Sequence, residues 1–143
     1  MQKDSMLSME SAMTPAELVE GLYEDCLNKR QLDRLAEYLA AEFIGANGES
    51  GPEGFRRTIE RIVSAFPDLR FEIEDLFAAD EKVCLRWRFQ AAQLGPLAGV
   101  APSGKTVVQE GIAIYHAAGG KLSRAWLQVD RLGVLQQIGA VTL

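Results

Sequence analysis

Gly120-Lys121-Leu122-Ser123-Arg124-Ala125-Trp126-Leu127-Gln128-Val129-Asp130 runs straight into Arg131-Leu132-Gly133-Val134-Leu135-Gln136-Gln137-Ile138-Gly139. The first stretch has strand character and ends in a single carboxylate; the second reads as a short helix. Alternate strand side chains share a face, so Trp126, Gln128 and Asp130 are expected to point the same way, with Leu127 and Val129 on the other side. An aromatic, an amide and an acid on one face of an otherwise apolar strand predict a pocket wall. Burial in such a wall raises the pKa of a carboxyl group, and a carboxyl tuned that way exchanges a proton near neutral pH. A strand end that precedes a helix is also a favoured place for an Asp N-cap. Both readings of Asp130 stand on the sequence.

Working back from this stretch, Ala117-Ala118-Gly119-Gly120 forms the turn into it, and Thr106 to Tyr115 reads as the preceding strand. Glu110 and Gln109 straddle that strand, so one of the two must face inward. Ala91 to Lys105 is rich in Gly and Pro and too long for a tight turn. Before it, Val83, Leu85, Trp87 and Phe89 alternate with Cys84, Arg86, Arg88 and Gln90, and Leu69, Phe71 and Ile73 alternate with Arg70, Glu72 and Glu74. Asp80-Glu81 turns between these two strands. Arg86 and Arg88 are thus expected to face outward.

The N-terminal third has helical spacing instead. Thr14-Pro15-Ala16-Glu17 combines a cap, a proline at the first helical position and a capping-box glutamate. Leu18, Leu22 and Cys26, then Leu32, Leu35 and Leu39, predict helices over 14–28 and 31–40. Glu42 to Ala46 reads as a short strand, and Pro52 opens a third helix whose buried stripe is Phe55, Ile59, Ile62, Val63 and Phe66. Three helices, four antiparallel strands and a short final helix define an α+β domain. The expected architecture is a cone-shaped curved antiparallel sheet closed by the three N-terminal helices. Residues 14–143 form its single domain, after a disordered lead-in over 1–13.

Bulk properties exclude several classes. The 143 residues suit one core, and 48% apolar with 24% charged side chains is ordinary for a globular protein. The net charge of −5 is uneven: residues 1–50 carry four basic and ten acidic side chains (−6), the remainder eleven and ten (+1). No basic face dense enough for nucleic acid emerges, and the acidic balance argues against an anionic membrane surface. Neither a membrane-spanning run nor a signal-peptide core is present. Cys26 and Cys84 form no CxxC pair and read as thiols of a reducing cytoplasm. A single histidine, His116, excludes a multi-histidine metal centre.

The element order, together with Gly51-Pro52-Glu53-Gly54-Phe55, Ala65-Phe66-Pro67-Asp68-Leu69, Arg86-Trp87, Pro102-Ser103-Gly104-Lys105, Gly119-Gly120-Lys121-Leu122, Trp126 with Asp130, and Leu132 to Gly139, resembles the SnoaL-like polyketide cyclase family of the nuclear-transport-factor-2-like superfamily. The resemblance spans about Thr14 to Gly139. It implies a cone with a ligand pocket, a homodimer, and cofactor-free ring closure by intramolecular aldol condensation, with the aspartate at Asp130 as general acid/base. Many relatives carry histidines where this chain has Gln93 and Ala46.

The expected site therefore comprises Asp130 as the catalytic residue, with Trp126, Gln128, Gln93, Trp87 and Tyr23 contacting an apolar small molecule, and with no metal or cofactor. The function that follows is a cyclase or isomerase acting on an activated carbonyl compound. Alternatives are a non-catalytic binding protein of the same fold, or an epoxide hydrolase using Arg124 and a second carboxylate beside Asp130. The dimer is expected through the outer sheet face carrying Leu127 and Val129.

Overall fold

The computed structural model describes residues 12–142. Most of the expected lead-in, residues 1–11, lies outside the described residues. Thr14 caps the first helix, α1 (Pro15–Gly21): its hydroxyl accepts from the Glu17 N–H at 3.1 Å, and the Glu17 carboxylate accepts from the Thr14 N–H at 2.9 Å. The two orphan amide groups are satisfied reciprocally, as the sequence predicts. The helix then widens without a break into a π-helical stretch, Leu22–Asn28. Such stretches recur at functional sites, because the wider turn changes where side chains point. Tyr23 is its second residue.

The second expected helix is shorter than its spacing predicts. After a 3₁₀ turn at Leu32–Arg34, α2 covers only Leu35–Tyr38, and Leu39 already belongs to β1 (Leu39–Ile44). Tertiary pairing overrides the local pattern here. Leu39 lies opposite Leu122, both are about 1% exposed or less, and the pairing is parallel. The sheet is consequently mixed and five-stranded, in the order β1-β5-β4-β3-β2, rather than four strands all antiparallel. The remaining strands are β2 (Glu72–Ala79), β3 (Lys82–Ala92), β4 (Thr106–Ala118) and β5 (Lys121–Val129), each antiparallel to its successor.

Two helices complete the cone. α3 (Gly51–Ala65) buries Phe55 and Ile59, with Ile62 and Val63 half-buried beside them. α4 (Arg131–Gln137) follows β5 and buries Val134. Val83, Leu85, Trp87 and Phe89 of β3 are all 4% exposed or less. Each large apolar side chain buried in this way contributes roughly 1.5–3 kcal/mol. On the other face, Arg86 pairs with Asp75 at 2.8 Å and Arg88 with Glu72 at 3.5 Å, so the arginines face outward as expected.

The expected strand around Leu69 to Glu74 begins later, at Glu72. Leu69 and Phe71 are nonetheless buried. The Asn28 side chain stands in for a neighbouring strand: its Oδ1 accepts from the Phe71 N–H at 2.8 Å and its Nδ2 donates to the Phe71 carbonyl at 2.9 Å. An irregularity between Ile73 and Asp75 breaks the pairing of β2, and Ile73 is exposed.

One irregularity decides the site. Between β4 and β5 the register shifts at His116/Ala117, so that His116 lies opposite Arg124 but Ala117 opposite Leu122. Leu122 and Ala125 are both buried although three apart. A bulge of this kind adds one residue and reverses the parity of all that follow. Ala125, Leu127 and Val129 therefore face the helices, while Trp126 and Gln128 face outward. This corrects the pocket wall expected from the closing strand, and equally the outward placement of Leu127 and Val129.

Candidate functional site

The concave sheet, the π-helical stretch, α3, α4 and the loop after β3 line a cavity of about 990 Å³. Its wall is mainly apolar, with Phe55, Ile59, Phe66, Phe71, Phe89 and Leu127 among the lining residues. Volume and character suit a molecule of several fused rings.

A few polar groups converge on this space. Tyr23 comes from the π-helical stretch and Tyr115 from the inner face of β4; their hydroxyls lie 2.9 Å apart, and either can donate. Both side chains are 4% exposed and line the cavity. Burial holds Tyr23 well above its ordinary pKa, and the neighbouring Tyr115 adds to this. Tyr115 is pushed up to about 12, chiefly by burial; its hydrogen bond with Tyr23 opposes the shift, and the Glu49 carboxylate reinforces it. At neutral pH both are protonated donors rather than bases.

Trp87 is the third member. It stacks on Phe89, with centroids 6.0 Å apart and rings inclined by 16°, and meets Phe71 edge-on at 4.9 Å. A side chain at Gly111, directly opposite on β4, would collide with the Trp87 ring, so the glycine makes the room in which the indole lies. The buried indole N–H makes no full hydrogen bond, though it lies near enough to the Tyr23 hydroxyl to draw that group's pKa down slightly against the effect of burial. An orphaned donor of this kind costs about 1–3 kcal/mol, and in a cavity lining it is a ready hydrogen bond for a ligand.

Glu49 and Gln109 complete the polar set. Gln109 is the inward member of the Gln109/Glu110 pair: it lines the cavity half-buried, whereas Glu110 is exposed. Burial pushes the Glu49 carboxyl up, but hydrogen bonds from the backbone and from Thr58 outweigh it, so its pKa lies below the usual value. The Asn47 N–H donates to it at 2.8 Å and the Thr58 hydroxyl at 2.9 Å. Ala46 also lines the cavity.

Of the other expected site residues, Trp126 borders the cavity, whereas Gln128, Asp130 and Gln93 do not line it. The Trp126 ring is 43% exposed on the outer face, with the Arg124 guanidinium 5.4 Å and the Lys82 ammonium 6.0 Å from its centroid. Gln128 and Asp130 border a separate shallow depression with Arg86 and Glu110. Asp130 caps α4, its Oδ1 accepting from the Gly133 N–H at 2.8 Å. Gln93 is fully buried but points into its own loop. Its Nε2 donates to the carbonyls of Gly95 (3.0 Å) and Ala101 (3.2 Å), and its Oε1 accepts from the Ser103 N–H at 3.0 Å. It thereby shapes the segment whose tip, Pro96 to Ala98, forms part of the cavity wall.

Of the expected set, then, Tyr23 and Trp87 line the cavity from the buried side, and Trp126 borders it while 43% exposed. Tyr115, Glu49 and Arg131 were not singled out from the sequence. The parity of Tyr115 with Val107 and Ala113 along β4 was a readable signal; Glu49 sits in an Asn-Gly-Glu-Ser-Gly loop that carries none. Among the described residues, no three His, Cys, Asp or Glu side chains gather as metal ligands, and no helix is long and apolar enough to cross a membrane. Both cysteines are free thiols.

Comparison with known proteins agrees with the fold. The model of the SnoaL-like polyketide cyclase family matches residues 17–138. The structure of TsrD from Streptomyces laurentii is 27% identical, with a TM-score of 0.80 over 99% of each chain. A SnoaL-like polyketide cyclase from Agrobacterium tumefaciens shares 23% identity and a TM-score of 0.77, over 89% of this chain and 99% of that one. AclR from Streptomyces galilaeus, described as a candidate hydroxylase, shares 21% identity and a TM-score of 0.78, over 90% and 87%. Among curated proteins, none matches. The chain belongs to the SnoaL-like polyketide cyclase family and has the nuclear-transport-factor-2-like cone fold.

Proposed function

We propose that this member of the SnoaL-like polyketide cyclase family closes or isomerises a ring in an apolar, carbonyl-bearing small molecule bound in the cone, without a cofactor. The observation that carries the reading is a buried polar cluster in an apolar cavity. In the Tyr23–Tyr115 pair one hydroxyl donates to the other and the second keeps its proton for a ligand, and the Trp87 N–H beside them makes no full hydrogen bond. Donors fixed in a low-dielectric site stabilise the oxygen of an enolate as it acquires charge, and each is typically worth 10²–10³-fold in rate. Glu49 is the half-buried carboxylate on the same wall and would accept the proton from the carbon next to the carbonyl. The acid/base role expected of Asp130 passes to Glu49 in this reading, because the Asp130 side chain caps α4 away from the cavity.

The test is turnover of an aromatic poly-β-ketone. Ring closure above the uncatalysed rate, reduced about 10²-fold or more in Tyr115→Phe, supports the proposal; loss of turnover in Asp130→Asn with Glu49→Gln unaffected overturns the assignment of the base. A binding protein without chemistry is the second reading. The low pKa of Glu49 favours it, since a weakly basic carboxylate is a poor proton acceptor. Tight binding of the ketone with no ring closure would select it. The epoxide hydrolase alternative gains no support, since Arg124 lies over the Trp126 ring on the outer face.

The partner proposed for the outer face is a second copy of this chain. Ile112, Ile114 and Trp126 are 52%, 39% and 43% exposed there, on adjoining strands β4 and β5. Contiguous exposed apolar surface of this kind usually meets a partner.

A further inference from the structure

Seven of the ten arginines are committed within the fold. Arg34, Arg56, Arg70, Arg86 and Arg88 pair with carboxylates. Arg30 donates to the backbone carbonyls of Leu27 and Leu69, and Arg124 lies over the Trp126 ring. The remaining three, Arg57, Arg61 and Arg131, form no ion pair among the described residues, and all three line the cavity.

Arg61 and Arg131 are placed against local electrostatics, whereas Arg57 has Glu53 and Glu60 within one helical turn. Arg57 and Arg61 are four apart on α3, where like charges are neighbours and repel by about 0.2–0.5 kcal/mol. Arg131 is the first residue of α4, where the positive end of the helix dipole disfavours a cation. Departures from local preference that converge on one place mark functional sites.

A hydrogen-bonded chain links the two elements. Arg61 donates to the Thr58 hydroxyl at 3.1 Å, Thr58 to Glu49 at 2.9 Å, the Asn47 N–H to Glu49 at 2.8 Å, and Arg131 to the Asn47 side-chain oxygen at 3.0 Å. Two guanidinium groups are thus held on neutral partners, with charge to spare. Glu49 offsets one of the three positive charges, and Glu60, which also lines the cavity, shares Arg56 with Asp33 and offsets at most one more. The rim keeps a positive excess while the interior is apolar.

From this we infer that the ligand carries a carboxylate at one end of its apolar body, bound by the unpaired arginines Arg57, Arg61 and Arg131 while the ring system fills the cone. The inference rests on the reading of the cavity as the ligand site and adds the substrate class, an aromatic keto-acid. Guanidinium groups recognise carboxylates through two parallel hydrogen bonds, so a free acid is distinguished from its amide or ester.

The test compares two probes of nearly equal shape, anthraquinone-2-carboxylate and anthraquinone-2-carboxamide, by quenching of tryptophan fluorescence. The carboxylate is expected to bind the parent about tenfold tighter or more, the worth of one charge-assisted hydrogen bond. In Arg57→Gln/Arg61→Gln/Arg131→Gln the two probes should bind alike, with the amide bound as in the parent, which also shows that the cavity is intact. Equal binding of both probes to the parent overturns the arginine inference and leaves the cavity reading standing; so does a carboxylate preference that survives in the triple variant. Failure of both probes to bind the parent overturns both readings, and binding of the amide alone overturns the arginine inference.

Discussion

The hydroxyls of Tyr23 and Tyr115 meet at 2.9 Å inside the cavity, one brought by the helical layer and the other by the sheet. The pair fixes how the two layers sit on each other, and it fixes the ionisation of the protein in alkali. The chain has three tyrosines, and all are shifted upward: Tyr23 and Tyr115 chiefly by burial, Tyr38 to about 12 by burial and by its hydrogen bond to Asp25. A folded-state pKa above the unfolded value of 10.0 leaves stability whole below pH 10 and removes it as pH rises toward the folded values. Each such group contributes a slope of about 1.4 kcal/mol per pH unit. Tyrosinate absorbance at 295 nm should therefore stay absent above pH 10 until the protein unfolds, and then appear cooperatively. A simple titration centred near pH 10 in protein that is still folded by circular dichroism would contradict the buried pair.

Asp130 offers a second prediction. Its carboxylate holds the first turn of α4 through Gly133, and α4 supplies Val134, Leu135 and Arg131 to the cavity. Asp130→Ala should cost about 1 kcal/mol of stability, as the loss of a cap does. Asp130→Asn, which still caps, should leave both stability and ligand binding near parental. Chemical denaturation and a turnover assay decide; a large loss of turnover in the stable Asn variant would restore the acid/base role.

These two tyrosines and this aspartate show what could be read from the chain alone. Capping at Thr14, the stripe on α3 and the alternation of β3 are local properties, so they were legible, and with them the cone and the place of Trp87. The face presented by the last strand was not. Alternation carried outward from the aromatic Trp126 puts Asp130 inside, and the bulge at His116/Ala117 that turns it outside depends on how β5 pairs with β4. A single inserted residue is invisible in a pattern of period two until the partner strand is known. Parallel pairing of β1 escaped for the same reason, since Leu39 completes a helical spacing in sequence and joins a strand only because β5 has an open edge.

Gln93 gives a third prediction, about the loop rather than the ligand. Substitution by Ala would leave the buried carbonyl of Gly95, and the partly buried carbonyl of Ala101 and N–H of Ser103, without their partner. At about 1–3 kcal/mol for a buried group left unsatisfied, and less for the two that water can reach, a loss of about 1–3 kcal/mol is expected. Cleavage by a nonspecific protease should move to the segment 96–101. If Gln93 served the ligand instead, binding would weaken while stability and cleavage stayed unchanged.

The outer face supplies the last prediction. Ile114 lies opposite Trp126 across the β4–β5 pair, and both are exposed. A lysine at position 114 would place a charge in the middle of this apolar surface, where burial against a partner would strip its water at a cost of several kcal/mol. In a free monomer the same side chain would remain solvated and cost little. Ile114→Lys should therefore be monomeric by light scattering where the parent is a dimer. At the low concentrations where both are monomers, the two should share one unfolding temperature. A parent that is already monomeric at micromolar concentration would sink the proposed dimer. Dimerisation that survives the lysine would move the interface to another face.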